Sequence, residues 1–287
     1  MATTHHGEDI RLEIFGRTIA AKRWGNSTGA KFIALHGWLD NANTFDRLAP
    51  LLPELNLVAL DFAGHGYSDH RVAGAHYHQI DDVQDVVAAA QVLGWDRFSL
   101  IGHSMGAQIS AEVSCLFPGK VEHCIMIDGS LATGPVDIDE RIEQTREGLT
   151  KMLTSHIKPK VFPSVQEMAT RVTEATDQSF AAASSLVARG HITVEGGVTW
   201  CTDPRIRYPS PLRPSREYID HLLANSEVQS LLIVANQGDD WYRGEVPHIE
   251  ATHPKLEVRY MDGPHHIHLE PDYYQEVGRL TREFLTL

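Results

Sequence analysis

The chain reads as an α/β protein: a mostly parallel central sheet, helices on both faces, and one helical insertion. Three observations predict it. Short, nearly all-apolar runs recur at residues 31–35, 57–60, 98–101, 121–127 and 231–235. They are too short for helices and lack the polar alternation of a half-exposed strand, so they suit strands buried on both faces. Helical periodicity separates several of them, as at Ile80, Val83, Val86, Val87, Ala90 and Leu93. Finally, Gly102-His103-Ser104-Met105-Gly106 joins the run at 98–101 directly to a helical pattern, a sharp strand-to-helix turn.

In chain order, residues 10–24 alternate as an opening hairpin turning near Gly16-Arg17. The strand at 31–35 ends at His36-Gly37-Trp38, and residues 43–52 are expected as a helix closed by Pro53. The strand at 57–60 runs into Asp61-Phe62-Ala63-Gly64-His65-Gly66-Tyr67-Ser68. The helix from Ile80 has a polar face at Asp81, Asp82, Gln84 and Asp85 and stops at Gly94. After the turn at Ser104 a helix continues to Phe117-Pro118-Gly119, followed by the strand at 121–127 and then Asp128-Gly129.

There the strand–helix rhythm breaks. Residues 140–153, 165–176 and 178–189 read as amphipathic helices without a core strand among them. Pro204, Pro209, Pro211 and Pro214 suit an extended return path. The expected division is a core of residues 1–130 and 226–287, with a helical cap at 131–225. The sheet resumes at 231–235 and 256–260, and a closing helix is expected from Pro271.

Composition narrows the function classes. The chain has 287 residues, with 38 acidic against 25 basic side chains and a net charge of −13. An acidic chain without a Lys/Arg cluster argues against nucleic acid or an anionic membrane as partner. Cys115, Cys124 and Cys201 are too few and scattered for a disulfide framework or a zinc cluster. Residues 1–9 lack an apolar signal core, and no run approaches the ~20 apolar residues of a membrane span. The expectation is a cytoplasmic protein, monomer or homodimer, acting on a small molecule.

Ser104 is the candidate nucleophile. Its hydroxyl needs a base, because serine is a poor nucleophile at neutral pH. The base should follow the last strand, where Asp262-Gly263-Pro264-His265-His266-Ile267-His268-Leu269-Glu270-Pro271 lies. His265 is assigned that role, with His266 and His268 packing or bonding locally. No carboxylate and histidine set at the usual ligand spacing accompanies the three, so no metal and no cofactor are expected. The base needs a carboxylate to fix its tautomer. Asp128 meets that need directly; Asp239 is the alternative, one residue beyond the expected position, which holds Gly238. The oxyanion hole needs backbone N–H groups, expected from Met105 and Trp38. Asp61 and the glycines after it are read as structural.

These motifs resemble the α/β-hydrolase fold along the whole chain, and more narrowly its serine-hydrolase-like branch. There the match extends to Gly196–Arg205, Ser210-Pro211-Leu212-Arg213 and the His265–Glu270 segment. The resemblance implies a cofactor-free carboxylesterase with a helical cap. It also bears on the acid: related dehalogenases that use the earlier loop place it 24 residues after the nucleophile, the separation of Ser104 and Asp128. Those enzymes and epoxide hydrolases carry aspartate as nucleophile, so Ser104 argues against both. The many Ala, Leu and Val residues of the insertion suggest an apolar pocket for short-to-medium acyl or aryl esters. Alternatives are hydrolysis of a lactone, an amide or a C–C bond, or a non-catalytic receptor on the same fold.

Overall fold

The computed structural model describes residues 7–132, 138–154, 157, 160–238 and 240–287. His5-His6 and the alternative acid Asp239 lie outside them. The apolar runs form the middle of an eight-stranded sheet. Its strands are β1 (Glu8–Ile14), β2 (Arg17–Gly25), β3 (Ala30–Leu35), β4 (Leu55–Leu60), β5 (Phe98–His103), β6 (Val121–Ile127), β9 (Gln229–Ala235) and β10 (Leu256–Met261). A separate antiparallel hairpin, β7 (His191–Val194) and β8 (Gly197–Trp200), lies between β6 and β9 in the chain. The sheet order is β1-β2-β4-β3-β5-β6-β9-β10, antiparallel at the β1-β2-β4 edge and parallel elsewhere.

Every residue of β4 and β5 is buried, because successive side chains feed opposite layers. Leu57 and Ala59 join a core with Phe45, Leu48, Val277 and Leu280. Val58 and Leu60 join the other, with Val86, Ile109 and Val113. The helices are α1 (Gln79–Val92), α2 (Met105–Leu116), α3 (Ile138–Thr154), α4 (Val165–Ala175), α5 (Phe180–Gly190), α6 (Arg216–Ala224), α7 (Asp240–Thr252) and α8 (Tyr274–Leu285). Phe162, Met168, Ala169, Ala183, Val187 and Val198 make a small core around α4, α5 and β8. Ile219 and Leu223 of α6 instead join the core under the sheet.

Four local expectations are corrected. Residues 43–52 form two 3₁₀ turns, Ala42–Phe45 and Ala49–Leu51, not a helix. Asn41 caps the first turn with its side chain, the Asp61 carboxylate takes the Ala42 N–H, and Pro50 has no N–H to extend the second. α8 starts at Tyr274 rather than Pro271. The Asp82 and Asp85 carboxylates of α1 are buried, not solvated, since Arg17 and Arg71 reach down to pair with them. Two helices, α6 and α7, add to those expected. α7 carries Pro247 inside it, which masks the spacing of Tyr242, Val246 and Ile249 on its buried face.

Candidate active site

The four strand ends β3, β5, β6 and β10 lead into the loops that carry the candidate residues. Between β5 and α2, Ser104 is held at φ 52°, ψ −116°, a left-handed conformation costly for a residue with a Cβ. The packing around it explains why it stays there. A Cβ on Gly102 would lie 2.2 Å from the Gly106 carbonyl oxygen, and one on Gly106 would lie 2.1 Å from that of Leu35. The strand and helix can approach this closely only because both positions lack side chains. The Ser104 N–H donates to the Ile127 carbonyl at 3.0 Å, and the Ser104 carbonyl accepts from Ala107 and Gln108. The turn is thereby stitched to the end of β6 on one side and to α2 on the other.

Asp128 follows β6 immediately and is also left-handed, at φ 44°. Its N–H donates to the Ile233 carbonyl at 2.8 Å, and its Oδ1 accepts the Ala235 N–H at 2.9 Å. Its Oδ2 lies 2.5 Å from His265 Nδ1. The carboxylate is fully buried, and His265 is part-buried. Burial pulls the imidazole down, but the hydrogen bond and the charge of Asp128 outweigh it, leaving His265 above the ordinary histidine value. The contact fixes Nδ1 as the protonated, donating nitrogen of the neutral ring and leaves Nε2 as its basic one. The His265 ring lies 4.6 Å from the ring of His103, the residue before Ser104, and the His265 carbonyl accepts from His103 Nε2 at 3.0 Å. Ser104, Asp128 and His265, from three separate parts of the sequence, thus follow β5, β6 and β10 on one sheet, with His265 bonded to Asp128 and packed on His103.

Met105 heads α2, where first-turn N–H groups have no intrahelical acceptor. Trp38 is 51% exposed, so its indole is no part of the core; its Nε1 donates to the Ile206 carbonyl at 3.3 Å. Trp38 and Met105 line a cavity of about 300 Å³ together with His65, Tyr77, Arg207 and Tyr208. The small apolar residues of α5 turn elsewhere: Ala183 and Val187 into the small core, Ala182 and Leu186 onto Leu269.

Asp61 has a larger structural part than its sequence context suggested. Its buried carboxylate accepts from the N–H groups of Ala42 and Tyr67 and from Arg189 Nε at 2.8 Å. Arg189 belongs to α5, so this one carboxylate ties α5 to the loops after β3 and β4. Also unanticipated is the polar wall behind the elbow. His103 and His268 are fully buried with ring centroids 4.2 Å apart, and Asp40 faces His103 and His266. Burial pushes His103 down to about 3. Burial opposes ionisation of Asp40, but the facing His266 holds it well below the usual carboxylate range. The only sequence signal for this wall was the run of histidines at 265–268.

Known proteins resemble this chain in sequence and fold. The family described as the alpha/beta hydrolase fold matches residues 32–272. A serine hydrolase-like protein of Danio rerio is 30% identical over 278 residues, 91% of this chain and 83% of its own length. Serine hydrolase-like protein 2 of Homo sapiens is 32% identical over 238 residues, 80% of this chain and 76% of its own. The crystal structure of the hypothetical protein PA1622 from Pseudomonas aeruginosa PAO1 is similar at a TM-score of 0.90 and 36% identity, covering 98% of this chain and 100% of that one. The family match runs from β3 past the loop of His265, and the chain belongs to the α/β-hydrolase fold, among its serine hydrolases.

Proposed function

We propose that this hydrolase is a carboxylic-ester hydrolase working through an acyl-enzyme on Ser104. The observation that carries the reading is the Asp128–His265 hydrogen bond of 2.5 Å beside a serine held at φ 52°. In this mechanism Ser104 Oγ attacks the ester carbonyl as His265 Nε2 takes its proton. The N–H groups of Trp38 and Met105 hold the oxyanion, and Asp128 stabilises the imidazolium. His265 then gives the proton to the leaving alcohol, and in the second half it takes one from the water that releases the acid. The insertion at 131–225 acts as a cap that sets which esters enter. Trp38, Tyr77, Ile206 and Tyr208 around the cavity suit an ester with an apolar or aromatic body, with Arg207 and Asp82 as charged neighbours.

A fluorophosphonate probe tests the nucleophile, and a panel of p-nitrophenyl esters tests the reaction. The expected result is stoichiometric labelling that disappears in Ser104→Ala, with ester turnover falling by at least about 10³-fold in that variant. Labelling without turnover on any ester would move the activity to another carbonyl bond. Absence of labelling in the parent protein would overturn the reading.

A further inference from the structure

The spacing of His265, His266 and His268 argued against a metal site, because no carboxylate accompanies them at ligand distance in the sequence. The fold supplies one. Asp40 after β3, His103 at the end of β5 and His266 after β10 each bring one donor atom within 4.8 Å of the other two. Asp40 Oδ2 is 3.2 Å from His266 Nε2 and 3.6 Å from His103 Nδ1.

His103 is the telling member. Its Nε2 faces the His265 carbonyl oxygen at 3.0 Å, which can only accept, so Nε2 carries the proton and Nδ1 presents a lone pair. That Nδ1 is buried without a hydrogen-bond partner, and it looks toward a carboxylate oxygen. Two electron pairs facing each other in a dry site repel, and a cation between them reverses the sign. A tetrahedral ion with bonds of about 2.0–2.1 Å needs donors roughly 3.3–3.4 Å apart, between the two separations observed. There is also room beside the donors. A Cβ built on Gly37 would lie 2.9 Å from His103 Nδ1 and 3.0 Å from Asp40 Oδ2, so the missing side chain leaves a cradle next to both. A neutral fourth donor is at hand: the Gln178 amide nitrogen is 2.9 Å from His266 Nε2, and its oxygen is buried without a partner. A half-turn of that amide exchanges the two atoms.

We propose that Asp40, His103 and His266 form a binding site for a divalent transition-metal ion of the zinc class, clamping the loops after β3, β5 and β10 behind the nucleophile. The site does not depend on the ester reading, and its test uses no turnover.

Chelator-treated protein is titrated with Zn²⁺ by calorimetry and with Co²⁺ by visible absorption, and thermal unfolding is followed with and without Zn²⁺. The expected result is one equivalent bound at micromolar affinity or tighter, tetrahedral Co²⁺ bands, and a raised Tm. His266→Gln and Gly37→Ala, each checked for fold by circular dichroism, should each weaken binding at least tenfold. If one of the two does not fold, the other decides. His5→Gln/His6→Gln should keep the parent affinity. Absence of stoichiometric binding, affinity unchanged in a folded variant, or binding lost with the tail histidines would each overturn the proposal.

Discussion

Gly238 and Asp128 share a space that one side chain fills. A Cβ on Gly238 would lie 2.3 Å from Asp128 Oδ2, the oxygen that binds His265. The position three residues past β9 is a glycine, and the carboxylate from β6 occupies the ground that a side chain there would take. Gly238→Ala should therefore push the carboxylate off His265. Expected are a loss of turnover of about 10²-fold, since small misplacements cost that much, and a destabilisation of about 1–3 kcal/mol. Steady-state kinetics and urea unfolding of the variant check both.

Asp128→Asn keeps the shape and removes the charge. The amide can hold the imidazole in the wrong tautomer, so kcat should fall by about 10⁴-fold. Asp239→Asn, assayed beside it, should stay within about twofold of the parent, the size of change expected of a group outside the triad. An equal loss in both would reassign the acid.

The ion pair of Asp61 and Arg189 is buried on both sides, at 0% and 3% side-chain exposure. Arg189→Met strands the carboxylate and should cost about 3–5 kcal/mol. Asp61→Asn/Arg189→Met should cost clearly less than the two single changes added together, because neither partner is left charged alone. Urea unfolding of the three variants and the parent gives the cycle. Limited proteolysis should also cut around α5 faster in Arg189→Met, since α5 loses its anchor to the loops after β3 and β4.

Gly106→Ala places a methyl group 2.1 Å from the Leu35 carbonyl oxygen, a backbone atom that cannot swing aside. The variant should unfold at a visibly lower temperature, with a loss of about 3 kcal/mol or more. Gly119→Ala, where an added Cβ meets nothing within 4 Å, serves as the control and should leave Tm nearly unchanged. Differential scanning calorimetry separates them.

The strands were legible because burial on both faces of a parallel sheet writes itself as continuous apolar sequence, as in β4 and β5. Ser104 and His265 were legible because the turn and the terminal loop have local chemistry of their own. What escaped depends on contacts between distant segments. Residues 43–52 have helical spacing, but Asp61 and Asn41 take the N–H groups that shape the first turn. The buried pairing of Asp82 required Arg71 on another loop. Where the small residues of α5 go could not be inferred from composition, because they face inward to a core of their own.

The φ of 52° at Ser104 has a bearing on durability as well as chemistry. A residue without a Cβ would rest there at no steric penalty, whereas serine pays on the order of 1 kcal/mol. Ser104→Gly should accordingly melt a few degrees higher than the parent while hydrolysing nothing. Such a molecule, inert and tougher, would make plain that this fold keeps its reactive hydroxyl at the expense of its own endurance.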